Sequence, residues 1–326
     1  MSDPEELPLA ETIYEDEMFW PTARDRIVLL GRRAAGKTVY LSVLYERYWK
    51  SLHGLAMKAV SGHVHTECIQ VVEGLRAGVW PPATLEMRHC ELEIDYRGQK
   101  QTMVALDYPG EVFRQAFVEG VTEYPGAGSP EASALIKHLD SAGAVLLLID
   151  PASLCGDDVD AVIDDDFGVT QAVEYLRGSP GGEEVPIVLV YTKGDRTSHY
   201  VDRDGGLEAF TKKRLPALAR TLRMVRLYRV EAVQTVRGDN REWVPKPHFK
   251  PRNIENPLIH CLDAIIAERE CEQFRLTEVE RQKALEARDR NEERRQRRAN
   301  RILAAVIVSM IVIAACAIAL ILANRS

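Results

Sequence analysis

The sequence predicts an α/β body, three layers built on a mainly parallel sheet, followed by a long helical stalk and an apolar C-terminal helix. Apolar runs at Ile27–Leu30, Thr102–Leu106 and Ile187–Tyr191 each end in a polar turn that holds glycine, the pattern of buried strands that deliver loops to one sheet edge. Apolar residues at helical spacing, such as Val39, Val43 and Leu44, alternate with these runs and supply the crossovers a parallel sheet needs. From Ile254 to Arg301 the chain lacks glycine, has its only proline at Pro257 and is crowded with Glu, Arg, Gln and Ala, a composition that propagates helix.

Residues 1–25 hold eight acids and one arginine and form an acidic N-terminal segment too polar to build a core. The body spans 26–268, with strands expected near 27–30, 85–96, 101–106, 144–149, 187–191 and 226–230. Residues 85–96 and 100–106 read as a hairpin: Leu85, Met87, Cys90, Leu92 and Ile94 alternate imperfectly with polar residues, and Arg97-Gly98 makes a turn. The stretch from Lys50 to Pro82 reads as an inserted element, in which His63 and His65 alternate as surface residues of a strand would. With 326 residues and 46% hydrophobic content, the chain has ample material for a core. Six cysteines are scattered without a C-x-x-C pair, so no zinc cluster or disulfide framework is expected and a reducing compartment fits. A net charge of -7 argues against nucleic acid as the main partner.

Gly31-Arg32-Arg33-Ala34-Ala35-Gly36-Lys37-Thr38 fits G-x-x-x-x-G-K-[ST] at every fixed position, between an apolar strand and an amphipathic helix. In that setting the loop N–H groups and the positive end of the helix converge on an anion, and the glycines let the backbone come close. Lys37 is then placed to reach the outer phosphates of a nucleotide and the Thr38 hydroxyl to bind Mg²⁺. The loop alone does not choose between ATP and GTP.

Two further motifs follow strands. Thr102–Leu106 runs into Asp107-Tyr108-Pro109-Gly110, a D-x-x-G where a phosphate-loop protein needs a carboxylate near Mg²⁺ and a backbone N–H, that of Gly110, for the terminal phosphate. Ile187–Tyr191 runs into Thr192-Lys193-Gly194-Asp195. In the order and spacing of these motifs the sequence resembles the P-loop GTPases of the translation-factor-related and Ras-like class, in which [NT]-K-x-D reads guanine. The stretch Trp80-Pro81-Pro82-x-Thr84, with Asp107-Tyr108-Pro109-Gly110-Glu111, is also similar to the double-GTPase group of bacterial conflict systems.

The resemblance implies GTP as substrate, GDP as product and Mg²⁺ as cofactor. It implies that Asp195 accepts hydrogen bonds from the guanine N1–H and amine while Lys193 lies along the base. Adenine offers no such donor pair, so the carboxylate would select by standing unpaired against the wrong base. Thr84, 23 positions before Asp107, takes the place of the switch threonine that closes on Mg²⁺ and the terminal phosphate. Glu231-Ala232-Val233 is the candidate for the remaining base-contact loop. Arg33 and Glu111 occupy positions often held by glycine and glutamine. Arg33 either swings onto the phosphate as a built-in arginine finger or blocks the water-orienting residue. A glutamate beside phosphate charge orients water poorly, so slow hydrolysis that needs a protein partner is expected.

The stalk, 269–301, carries i,i+4 pairs such as Glu286/Arg290 and Glu293/Arg297, which suit a solvated helix. Arg294, Arg295, Arg297, Arg298 and Arg301 then precede 22 uncharged residues, Ile302–Ala323. At about 1.5 Å per residue that run spans roughly 33 Å, enough for a hydrocarbon core of about 30 Å. The expectation is a single-pass, tail-anchored membrane protein whose N-terminal body is cytoplasmic, because the basic flank precedes the span. The pairs Ala305/Ser309 and Ala315/Ala319 also admit contact between spans, hence a homo-oligomer. The acidic stretch Gly156–Gly168 lacks EF-hand ligand spacing and reads as a solvated loop. Together these features point to a membrane-anchored, GTP-dependent switch. The competing readings are an ATPase built on the same loop, which Asp195 disfavours, and a nucleotide-bound scaffold without turnover, which Thr84 and Asp107 disfavour.

Overall fold

The structure, a computed structural model, describes residues 24, 26–32, 34–82, 88–107, 110–119, 129–156, 159–221 and 225–323, without the side chains of 88–89, 105–107, 110–111, 119, 159–161, 164–165, 299, 303 and 311–323. Strand β1 (Arg26–Gly31) is buried on both faces. It runs parallel to β4 (Gln99–Asp107) on one side and to β5 (Ala142–Ile149) on the other. Beyond β5 lie β6 (Ile187–Tyr191) and β7 (Arg226–Arg229), also parallel. On the far side of β4, β3 (Arg88–Tyr96) and β2 (Leu55–Ala59) continue the sheet antiparallel. The seven strands therefore stand in the order β2-β3-β4-β1-β5-β6-β7.

The predicted hairpin is present as β3 and β4. Its turn uses Arg97 and Gly98 at φ 52° and 77°, and positive φ at both central residues matches the right-handed twist of the strands it joins. Two parts of the body were not anticipated. The inserted element folds as β2 followed by helix α2 (Gly62–Arg76), with the Ser61 hydroxyl capping it by accepting from Val64 N–H at 3.3 Å. His63 and His65 thus lie on a helix instead of a strand. Residues after β7 form a separate two-stranded ribbon, β8 (Thr235–Arg237) and β9 (Trp243–Pro245).

Helices cover both faces of the central strands. On one face Val28, Leu30, Val145, Leu147, Ile187, Leu189 and Tyr191 pack with residues of α3 (Gly110–Arg114) and its π-turn (Gln115–Glu119), α4 (Pro130–Asp140), α5 (Val159–Gly178), α6 (Gly194–Arg203), α7 (Leu207–Arg214) and α8 (Pro216–Thr221). Part of the acidic stretch 156–168 thus belongs to α5, and its expected loop is a helix from Val159. The alternate residues Ile27, Leu29, Leu146, Leu148, Val188 and Val190 are equally buried, as strands covered on both sides require. Helix α1 (Lys37–Tyr48) contacts β1 and β4, and its Tyr40 hydroxyl donates to the Ile254 carbonyl at 2.8 Å.

A single helix, α9, runs from Asn256 to Ala323. The chain divides into two compact units between Ile265 and Ile266. The first turns of α9 belong to the first unit, where Leu258, Leu262 and Ile265 are buried. Among the described residues the second unit is helix alone, with exposed pairs Arg290–Glu286 at 3.4 Å and Arg297–Glu293 at 3.5 Å. Among the described residues no helix is long and apolar enough to cross a membrane; the side chains of 311–323, the second half of the expected span, lie outside them.

Candidate functional site

The carboxyl ends of β1, β4, β5 and β6 form one sheet edge, and the loops that leave them build the site. Gly31 ends β1 at φ 154°, and a Cβ on it would stand 2.7 Å from the Leu148 carbonyl oxygen of β5. Only glycine lets the loop leave the sheet there. Ala34 and Gly36 take φ 61° and 86°, and Gly36 caps α1 in the left-handed conformation. The turn closes through Ala35 N–H to Arg32 O at 3.2 Å.

Lys37, the first residue of α1, is buried. Its ammonium donates to the Gly31 carbonyl at 2.9 Å and the Arg32 carbonyl at 3.3 Å, so the cation is held across the loop instead of extending into solvent. Thr38 follows on the same first turn, half-buried. A fixed positive charge, the N-terminus of a 12-residue helix and a left-handed glycine turn converge here, the combination that favours a phosphate.

The Thr192-Lys193-Gly194-Asp195 segment lies against this loop. The Thr192 hydroxyl, buried, sits 2.9 Å from the Ala35 carbonyl and 3.2 Å from the Ile149 carbonyl. Thr192 therefore braces the Gly31–Thr38 loop, a role the sequence did not show. Lys193 adopts φ 55° as the cap of α6, and its ammonium pairs with Asp150 Oδ2 at 2.5 Å. Asp150 was missed, although a carboxylate that ends the apolar run Ala142–Ile149 at the same edge was a signal for it.

Gly194 is glycine for a packing reason. A Cβ there would meet Glu231 Cγ at 3.0 Å, Arg229 Cγ at 3.1 Å and the Val230 carbonyl at 3.1 Å, and its N–H donates to that carbonyl at 3.0 Å. The residues expected to form the base-contact loop thus lie beside the motif. The residue that touches Asp195, however, is Thr235, downstream of Glu231-Ala232-Val233. Asp195 Oδ2 accepts from the Thr235 N–H at 2.9 Å and from its hydroxyl at 2.6 Å. Among the described residues no group pairs with the other carboxylate oxygen, which leaves two lone pairs for a ligand. Nothing in the local sequence marked Thr235.

Asp107 ends β4, two residues past the Leu29–Ala105 pair, so its backbone reaches the same edge as Gly31. Gly110 opens α3. The side chains of Asp107 and Glu111 lie outside the described residues, as do Arg33 and Thr84 altogether. A Thr38 hydroxyl on the first turn of α1 and an Asp107 carboxylate at the end of β4 would offer the hard oxygen donors that Mg²⁺ takes together with phosphate and water. Among the described residues no group of three or more His, Cys, Asp or Glu is arranged to hold a metal, and the described cysteines are free thiols.

No family model matches the chain, and no curated protein matches it. Solved structures to which it is similar include Methanosarcina barkeri Roco2 RocCORdC bound to GDP, at 13% identity and a TM-score of 0.30, covering 64% of this chain and 43% of that one. Another is a nucleolar GTP-binding protein 1, described as putative, from Plasmodium falciparum, at 12% identity and a TM-score of 0.41, covering 79% of this chain and 97% of that one. The chain thus spans less than half the length of the Roco2 protein it matches.

Proposed function

We propose that this chain is a guanine-nucleotide-binding switch that hydrolyses GTP slowly and sits at a membrane. The observation that carries the proposal is the Thr192–Ala35 contact at 2.9 Å, which brings the Gly31–Thr38 loop and the Thr192–Asp195 segment together. A nucleotide laid along this edge would place its phosphates at Gly31–Thr38 and its base at Lys193 and Asp195. Two donors on one base edge match the unshared oxygen of an otherwise anchored carboxylate, and an adenine edge would leave that oxygen desolvated and unpaired.

Phosphoryl transfer asks for positioning and charge stabilisation more than for covalent chemistry. Lys37 supplies fixed charge at the outer phosphates, and the loop N–H groups orient them. Thr38 and Asp107, joined by Thr84, would hold Mg²⁺, which when bound neutralises the phosphate oxygens. With Arg33 and Glu111 at the positions that govern water, hydrolysis is slow until a protein activator engages. The anchor reading rests on the uncharged run 302–323 behind its arginine flank, long enough to span a bilayer. The body then lies on the cytoplasmic side, and the small-residue pairs in the span support a homo-oligomer.

The test is chemical identification of nucleotide released from the purified, denatured protein, followed by turnover with GTP and Mg²⁺. Guanine nucleotide and slow phosphate release are expected; adenine nucleotide alone would overturn the reading.

A further inference from the structure

We propose that Trp80 is a positioning residue for base recognition, acting on Asp195 through the β8–β9 ribbon; the proposal rests on the guanine reading above. Thr235 holds Asp195 Oδ2 by both its N–H and its hydroxyl, and Thr235 is the first residue of β8. The orientation of the carboxylate is therefore set by the ribbon. Two strands of three residues each do not hold their own geometry in water. Something else must fix them.

The fixing contacts converge on Trp243 in β9. Its carbonyl accepts the Trp80 indole N–H at 2.7 Å. Its ring lies under the guanidinium of Arg237 at 4.0 Å and that of Arg196 at 5.9 Å, and Arg196 is the neighbour of Asp195 on α6. The chain leading to Trp80 also runs alongside β9, since a Cβ on Gly78 would stand 3.7 Å from the Pro245 carbonyl. At the other end Gln234 accepts from Lys250 N–H at 2.6 Å.

Trp80 and Trp243 remain 37% and 38% exposed, so neither ring serves as a core residue. What Trp80 contributes is one directed bond at the end of the inserted β2–α2 element. That gives the insertion a function: it buttresses the ribbon that aims Asp195. Reading two donors on one base edge needs a fixed carboxylate plane, so loosening the ribbon should cost base selectivity before it costs phosphate binding.

The test uses Trp80→Phe, which keeps an aromatic ring and deletes the N–H, with Thr235→Val and the double variant, all in the full chain. Competition with a fluorescent GDP analogue in Mg²⁺ gives affinities for GDP and for IDP, which lacks the exocyclic amine. Trp80→Phe is expected to narrow the GDP/IDP ratio about three- to tenfold, the range of one hydrogen bond's net worth. The double variant should be no narrower than the tighter-acting single, because both act through one ribbon. An unchanged ratio in Trp80→Phe, or equal weakening of both nucleotides, overturns the proposal. Should Trp80→Phe fail to fold, Arg237→Gln, which releases the Trp243 ring from an exposed position, carries the same expectation and the same overturning result. If the unmutated protein itself binds GDP, IDP and ADP equally, the guanine reading has failed and the proposal falls with it. If it prefers GDP while the variants keep that preference, the proposal alone has failed.

Discussion

The Thr192 hydroxyl reaches the Ala35 carbonyl at 2.9 Å, so the end of β6 and the Gly31–Thr38 loop are tied together. Thr192→Val keeps the shape and removes the hydroxyl donor to that buried carbonyl oxygen. Leaving a buried acceptor unpaired costs about 1–3 kcal/mol. Weakened binding of every nucleoside triphosphate, independent of base, is expected together with a lower unfolding midpoint, measured by nucleotide titration and thermal melting.

Gly194 packs where a side chain has no room, with three neighbouring heavy atoms between 3.0 and 3.1 Å from a built Cβ. Gly194→Ala crowds Glu231, Arg229 and the Val230 carbonyl, and is expected to shift α6 at a cost of about 1–3 kcal/mol for overpacking. Unlike Thr192→Val, it should weaken guanine nucleotides more than it weakens inorganic triphosphate, because it displaces Asp195 and leaves Lys37 in place. Calorimetry with both ligands checks this.

Arg33 separates two kinds of switch. If it blocks the water site, single-turnover GTP hydrolysis in Arg33→Ala should equal or exceed that of the unmutated protein. A built-in arginine finger would instead show as a loss of about 10³–10⁵.

Deletion of residues 302–326 should release a folded body that still binds nucleotide and leaves the membrane fraction. Pelleting of the truncated chain with membranes at high salt would show that the uncharged run is not the anchor.

The parts of the fold legible in sequence were those whose signal is local. Gly31 and Gly36 bracket a loop whose backbone needs them, and Arg97-Gly98 announces the β3–β4 turn because positive φ at both positions narrows the choice of residue. Strand β2 escaped because its partner is remote: Leu55 pairs with Tyr96, and five residues carry too little periodicity to be separated from a loop. The β8–β9 ribbon escaped because its strands have only three residues each, and with it Thr235, whose contact with Asp195 crosses 40 positions of chain. Thr192 was legible only as the first residue of its motif, and the bond of its hydroxyl to the Ala35 carbonyl was not. Side-chain destinations of this kind depend on how neighbouring strands align, which no single segment encodes.

Base choice at Asp195 decides between a GTP-dependent switch and an ATPase on the same loop. Isothermal titration of the full chain with GTP and ATP in Mg²⁺, repeated on Asp195→Asn with GTP and xanthosine triphosphate, measures it. GTP should bind at least tenfold more tightly than ATP, an energy of about 1.4 kcal/mol that one unpaired buried acceptor suffices to supply. In Asp195→Asn the preference should turn toward xanthosine triphosphate, whose donor and acceptor roles are exchanged at that edge. Equal affinity for GTP and ATP in the unmutated chain would contradict guanine recognition at this site.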